Sequence, residues 1–357
     1  MKKNCIIPFF VTHRGCPFQC IFCNQWAIGG VQEKSEESIE QRVKRILCDD
    51  HTKNKRIEVA FFGGSFTGMS INEQSVLLDQ ALGLKKSGLI DGIRLSTRPD
   101  YINKKVLDFL FEHEVSTIEL GIQSFADNVL EQSHRGYTAE QAMTAVELIR
   151  EYPFEIVLQL MLGLPGDDEH TTNLTARRVI AAKPDAIRIY PAVVLRKTEL
   201  EKAYNRGEYI PWTLERTVEV GAYLLGLFLC HGIKVIRMGL QANENLYDGA
   251  ELVAGPYHPA YREMVENHLY LEQINDLIKK LPSDTDSIDV FFNLCESSKI
   301  IGQKRLNHHL LKKKYPDIKL QFFPQKEFER EKISISTNKM SICSSRQEFV
   351  ERYRIDD

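Results

Sequence analysis

The sequence predicts an α/β protein: a partial (β/α)6-type barrel followed by a small C-terminal α+β extension. Three observations carry this. Short β-rich apolar segments alternate with amphipathic helical stretches at least six times before residue 240, the pattern of parallel strands joined by crossover helices. Right-handed crossovers repeated this often curl a sheet into a full or partial barrel. Chemistry-bearing residues (Cys, paired Gly, Gln, Arg) follow nearly every strand rather than one crevice, which favours the barrel over an open doubly wound sheet. After about residue 240 the alternation stops, so the expected domains are 1–240 and 241–357.

Taken in order, the first strand is Ile6–Thr12, and a cysteine-bearing loop follows it through Trp26 and Gly29-Gly30. Ser35 is the expected N-cap of a helix with Ile39, Val43, Ile46 and Leu47 on one face. Ile57–Phe62 reads as a buried strand ending at Gly63-Gly64-Ser65-Phe66, and Ser70 with Glu73 makes a capping box for the next helix. Gly92–Ser96 is a strand that runs into Ser96-Thr97-Arg98-Pro99-Asp100, followed by a helix carrying Val106, Leu107, Leu110 and Phe111. Ser116–Ile122 leads to Gln123-Ser124, and Thr138 with Gln141 forms a second capping box. Glu155–Met161 ends in Leu162-Gly163-Leu164-Pro165-Gly166-Asp167, and a polar helix leads to the strand Ala186–Tyr190. A long apolar helix near 217–229 and a strand at Lys234–Met238 close the repeating part. Beyond the punctuated loop 249–259 come a helix at 261–281, a strand at 288–292, a helix at 299–314, strands at 319–323 and 332–336, and a terminal helix at 346–353.

Composition narrows the class. The 357 residues carry a formal net charge of −3, so no global basic field points to nucleic acid. No apolar run approaches a membrane span, and the short segment after Lys2 and Lys3 lacks the marks of a signal peptide. Outside the first loop the cysteines are scattered singly, unlike a disulfide framework, which points to a reducing, cytoplasmic setting. Cys48 and Cys230 fall on apolar helical patterns and are expected as small core residues.

Cys16, Cys20 and Cys23 stand at C-x3-C-x2-C spacing on the loop that leaves the first strand. Three thiolates on one short loop can converge on one metal centre, one ligand short of a closed zinc site or a four-cysteine 4Fe–4S cluster. That deficit suggests an iron with an open position for a small molecule. Two other assignments use the same residues: zinc with a fourth ligand such as His13, and a Cys20/Cys23 redox pair.

The triplet, with Phe22 before its last cysteine, resembles the motif of the radical S-adenosylmethionine (SAM) enzymes. GGSF at 63–66, STRPDY at 96–101, LGIQS at 120–124, HRGYT at 134–138 and MLGLPGD at 161–167 extend the likeness. They stand in the order found in the radical SAM domain of the Elongator catalytic subunit and its bacterial relatives, and the resemblance spans residues 5–240. Oxygen-independent coproporphyrinogen oxidases share LGLPG and the Gln-Ser box and are a more distant likeness.

The resemblance implies a radical SAM enzyme in which Cys16, Cys20 and Cys23 hold a 4Fe–4S cluster. The open iron would chelate SAM, and reductive cleavage would yield a 5′-deoxyadenosyl radical that abstracts hydrogen from substrate. It implies further that Phe22 packs on the adenine, and that Gly63, Gly64 and Ser65 receive the SAM amino group. Thr97 and Arg98 would sit where ribose and substrate meet, Gln123 and Arg135 would position SAM, and Met161 and Gly163 would flank the adenine. Implied partners are a reductant such as a flavodoxin or ferredoxin and a tRNA or other RNA substrate. Ser65 replaces the Glu of the superfamily's GGE motif, as in the Elongator-like branch. No Gly-rich acetyl-CoA loop is found after residue 240, so the acetyl-transfer half of Elongator chemistry is not expected. Two other functions remain open: a radical SAM enzyme acting on a tetrapyrrole or other small molecule, and a non-catalytic metal- or RNA-binding protein. A basic helix at 299–314, with Lys312-Lys313-Lys314, His308 and His309, reads either as an RNA contact or as a solvated face.

Overall fold

In the computed structural model β1 (Asn4–Phe10) pairs in parallel with β2 (Arg56–Phe62), and β2 with β3 (Gly92–Thr97). β4 (Thr117–Gln123), β5 (Glu155–Leu162) and β6 (Ala186–Pro191) continue the sheet, each parallel to the strand before it in the chain. Residues 4–12, 14–16, 20–25, 37–240 and 250–353 are described. The crossovers carry α1 (Ile39–Leu47), α2 (Ile71–Lys86), α3 (Lys104–Glu112), α4 (Asp127–Gln132), α5 (Ala139–Arg150) and α6 (Glu169–Ala182). Both expected capping boxes form: the Ser70 and Thr138 side chains accept from the third helical N–H, and Glu73 and Gln141 reach back. α1 starts later than expected. Its cap is Ser38, paired with Gln41, while Ser35 lies outside the described residues.

Strand alternation sorts the side chains. Val59 and Phe61 of β2, Ile93 and Leu95 of β3, and Ile118 and Leu120 of β4 are fully buried apolar residues at alternate positions. The intervening positions hold Glu58, Arg94 and Glu119. On that second face the Arg188 guanidinium of β6 lies 5.3 Å from the Phe62 ring centroid of β2. Three strands separate β2 from β6 in the sheet, so the contact closes across a lumen: the sheet is curled.

The chain divides into two compact units, Met1–Trp212 with Leu240–Tyr257, and Thr213–Gly239 with His258–Asp357. The first also holds β7 (Val194–Leu195), α7 (Glu199–Asn205) and β9 (Leu252–Ala254), with β7 antiparallel to β9. The second holds α8 (Leu214–Cys230), β8 (Lys234–Met238), α9 (Tyr261–Ile278), β10 (Ser287–Asn293), α10 (Ser297–Ile301) and α11 (Leu306–Lys314). β11 (Lys319–Gln325), β12 (Lys332–Ser336), β13 (Ser341–Ser345) and α12 (Arg346–Val350) complete it. Its sheet has the order β11-β10-β12-β13. Tyr270 and Ile274 of α9 and Leu311 of α11 share a buried cluster with Val290, Phe292 and Ile335 of the sheet.

Two expectations change here. The basic helix is not continuous. Lys304 and Arg305 have left-handed backbone (φ 51° and 63°), which splits it into α10 and α11, and Lys299 is neutralised by Glu266 at 2.7 Å. Cys48 is exposed and Cys230 half-buried rather than core, because each lies at a helix end. Among the described residues no helix is long and apolar enough to cross a membrane.

Candidate active site

The loop after β1 is held by the loop after β2. Val11 N–H donates to the Phe62 carbonyl at 2.7 Å, and Ser65 N–H to the Arg14 carbonyl at 3.0 Å. The approach leaves no room for side chains: a Cβ on Gly64 would lie 2.5 Å from the Val11 and Arg14 carbonyl oxygens. One on Gly15 (φ +68°) would lie 2.2 Å from the Ser65 carbonyl oxygen. Glycine at 64 is therefore required by the cysteine loop itself. Gly63 turns the chain with φ +88°. Behind this contact Thr97 Oγ1 bonds Ser65 Oγ at 2.9 Å and Thr67 Oγ1 at 2.6 Å, and Ser65 Oγ accepts from Arg98 N–H at 3.3 Å. Ser65 and Thr97 thus tie the ends of β2 and β3 together.

Cys20 is the buried thiol of the three, 6% exposed. Arg135 Nη1 lies 2.9 Å and Arg98 Nη1 3.6 Å from its sulfur. The two guanidinium groups share one aromatic support: Arg135 is 5.1 Å and Arg98 5.3 Å from the Tyr137 ring centroid. Arg135 also donates through Nε to Tyr137 Oη at 3.0 Å and through Nη2 to the Gly121 carbonyl at 2.5 Å. Arg98 is clamped by both carboxylate oxygens of Asp100 at 2.9 Å and also donates to the Arg135 carbonyl. Three of the five guanidinium N–H groups of Arg135 are used in these bonds. Gln123 ends β4 beside a register shift, in left-handed backbone (φ 71°). A buried non-glycine residue held there is the strain that accompanies functional positions.

Burial pushes the Cys23 thiol up to about 12, the Cys20 and Cys16 sulfurs add to the rise, and Arg135 opposes it. All eight cysteines lie among the described residues, and none is in a disulfide. Among those residues no three His, Cys, Asp or Glu side chains draw together tightly enough for a single metal ion. A cubane spreads its thiolates over a wider base than one ion does. Three thiols on one loop, with two guanidinium groups at the buried sulfur, are a donor set that suits an iron–sulfur cluster.

Phe22 and Met161 pack against the same apolar cluster of Ala126, Val129, Leu164 and Ala192. Gly163 turns with φ +76° under the Trp212 ring, and its carbonyl accepts from Tyr209 Oη at 2.6 Å. Asp167 fixes this turn, accepting from Gly163 N–H and Thr171 Oγ1 at 2.8 Å and from Thr172 Oγ1 at 3.2 Å. Burial pushes the Asp167 carboxyl up to about 6, against those hydrogen bonds. Between the unfolded value near 4 and about 6 the folded state holds the extra proton, so this group's contribution to stability falls as pH rises through that window. Urea unfolding of Asp167→Asn and wild type at pH 4.5 and 7.5 checks this. The variant should gain on wild type by on the order of 2 kcal/mol at the higher pH; an unchanged difference would refute the assignment.

One constellation is not among the residues expected from sequence. Arg94 donates to Glu58 at 2.8 Å and to Glu119 at 2.9 Å, Arg188 donates to Glu119 at 2.9 Å, and Gln159 donates to Glu119 at 3.2 Å. These residues come from five consecutive strands and form a buried ionic floor to the lumen. Half-buried Phe62, Ser96, Gln159, Met161 and Tyr190 share that face. The sequence does carry a signal for it: each strand has one polar residue between apolar neighbours, as in Ile57-Glu58-Val59, Ile93-Arg94-Leu95, Ile118-Glu119-Leu120 and Ile187-Arg188-Ile189.

Six parallel strands in chain order, curled around a polar lumen with three thiols on the loop after the first, define a partial barrel whose candidate site lies at the strand C-terminal ends. The chain belongs to the radical SAM superfamily: residues 10–179 match that superfamily, and residues 184–271 match the Radical_SAM C-terminal domain. It is a radical SAM enzyme related to the Elongator group. The tRNA uridine(34) acetyltransferase of Methanocaldococcus jannaschii is 28% identical over 202 residues, 51% of this chain and 37% of that protein. Human Elongator complex protein 3 is 30% identical over 141 residues, 38% of this chain and 25% of that one. The chain thus spans well under half the length of these relatives. The archaeal Methanocaldococcus infernus Elp3 with an N-terminal deletion matches with a TM-score of 0.60 at 20% identity, covering 77% of this chain and 64% of that one. That likeness is one of fold.

Proposed function

We propose that Cys16, Cys20 and Cys23 hold a 4Fe–4S cluster, that SAM binds beside it, and that the enzyme modifies a base in tRNA or another RNA. When bound, cluster and SAM together supply a hydrogen-abstracting radical after one electron arrives from a flavodoxin- or ferredoxin-type donor. The observation that carries the reading is Cys20, buried between Arg135 and Arg98 at the strand C-terminal ends.

Arg135 and Arg98 set two guanidinium groups against the Cys20 sulfur and would counter the negative charge of a cluster held there. Tyr137 keeps both guanidinium planes in place. The remaining N–H groups of Arg135 offer donors to a SAM carboxylate. Gln123, held in its left-handed turn, and Gly63, with Ser65 fixed beneath it, line the same rim. Phe22 and Met161 give an apolar bed suited to adenine. Below, Phe62, Ser96, Gln159 and Tyr190 offer a ring, an amide and hydroxyls, groups that suit a planar heterocycle with hydrogen-bonding edges. RNA as the target is supported by the names of the relatives, which are tRNA-modifying and Elongator proteins.

The test is anaerobic. Protein reconstituted with iron and sulfide is reduced, given SAM, and assayed for 5′-deoxyadenosine with intact tRNA or nuclease-digested tRNA. Intact tRNA should stimulate and the digest should not. Equal stimulation would turn the reading to a small-molecule substrate. Zinc in place of iron, with no SAM binding, would remove the reading entirely.

A further inference from the structure

We propose that the outer face of the second unit's four-stranded sheet is a stacking platform for single-stranded RNA. The proposal rests on the RNA reading above and assigns that RNA a second binding surface, remote in sequence from the cysteine loop.

The sequence pairs Phe291-Phe292 in β10 and Phe322-Phe323 in β11. Strand alternation sends one ring of each pair to each face. Phe292 and Phe322 enter the apolar core. Phe291 and Phe323, register partners in the parallel ladder, stand on the opposite face. Their rings stack with centroids 5.3 Å apart and planes 21° apart, and Phe323 is 38% exposed. Burial explains the inner pair; it does not explain the outer one.

The rest of this face selects the occupant. The row holding the two rings continues through Ser334 of β12 to Cys343 of β13. On one side of the rings the next row includes Gln321 and Ser336, and on the other Gln325 and Lys332. Amides and hydroxyls beside exposed rings match bases, which present a π-face and hydrogen-bonding edges. Two partly exposed rings are far too little apolar surface for a protein interface, which buries on the order of 1,000 Å² or more, but they suffice for one or two bases. Strand addition is disfavoured because the edge strand β11 carries Lys319 and Pro324. Exposed Lys312, Lys313 and Lys314 end α11, Lys319 opens β11 on the platform face, and Asp317 is the single acid between residues 312 and 323. Phosphates are thus favoured along β11 and disfavoured beside Asp289, which shares the face one strand inward.

The experiment uses the full chain and a fluorescein-labelled ten-nucleotide oligouridylate, read by anisotropy. Wild type should bind, more weakly as salt rises. The double variant Phe291→Ala/Phe323→Ala should lose about tenfold or more in affinity. Phe291→Tyr/Phe323→Tyr should keep it, and none of these variants should change 5′-deoxyadenosine formation in the absence of RNA. Bound oligonucleotide should also slow alkylation of Cys343, read by peptide mass, but not that of exposed Cys48. The proposal is overturned if wild type does not bind the oligonucleotide, if the alanine variant binds as well as wild type, or if the face instead mediates self-association that Phe323→Ala abolishes. The two readings fail separately. tRNA-stimulated SAM cleavage with an inert platform leaves the substrate reading standing, and platform binding without stimulation removes only that reading.

Discussion

Cys20→Ala is expected to abolish 5′-deoxyadenosine formation and to lower bound iron from about four per chain to a residual level, while Cys48→Ala changes neither. Cys20 is the thiol that the fold surrounds. Arg135 lies 2.9 Å from it and Arg98 3.6 Å, on residues 115 and 78 positions away in sequence. On the cluster reading, removing the sulfur takes away a ligand, and it also deprives the buried Arg135 guanidinium of the sulfur it donates to, while Arg98 keeps Asp100. Loss should therefore be more severe than for Cys16→Ala, whose thiol is half-buried. Iron content, visible absorbance and 5′-deoxyadenosine, measured on protein whose unfolding midpoint is recorded alongside, read the result. A Cys20→Ala protein that still forms 5′-deoxyadenosine would defeat the cluster assignment.

What a sequence can reveal follows from the range of each interaction. Capping boxes and the cysteine triplet are local, so Ser70/Glu73, Thr138/Gln141 and Cys16/Cys20/Cys23 are legible from the order of residues alone. The strand–helix alternation is a sum of local patterns, and it predicts the six parallel strands in order. The role of Arg98 and Arg135 as partners of Cys20 is not legible, because nothing in the local sequence couples residues so far apart. Ser35 and Ser38 flank the same acidic pair, and only the path of the chain decides which one caps α1. The break runs from Gly302 (φ 80°) to Arg305: the glycine is a legible signal, but Lys304 and Arg305 ordinarily avoid left-handed backbone, so their part in it is not. The need for glycine at 64 arises from a neighbouring loop rather than from its own turn.

The ionic floor is the opposite case, a long-range feature with a readable signature, and its removal should have the largest effect on stability. Glu119 is 0% exposed and is the common acceptor for Arg94, Arg188 and Gln159. Glu119→Ala leaves the buried Arg188 with no carboxylate among its ion pairs and Arg94 with Glu58 and a 4.0 Å contact to the exposed Glu155. Stranding a buried charge in this way costs about 3–5 kcal/mol, a large fraction of the roughly 5–15 kcal/mol that a domain has. The urea midpoint should fall accordingly. Pairing the change with Arg188→Met removes the stranded cation, so Glu119→Ala/Arg188→Met should be markedly more stable than the sum of its single variants predicts. Strict additivity would mean that the two side chains do not interact, and the floor would then be a set of independent contacts. The same experiment bears on function. If the floor only holds the strands, the double variant regains 5′-deoxyadenosine formation along with its stability. If the charges of Glu119 and Arg188 also orient what enters the lumen, stability returns and substrate-dependent turnover does not.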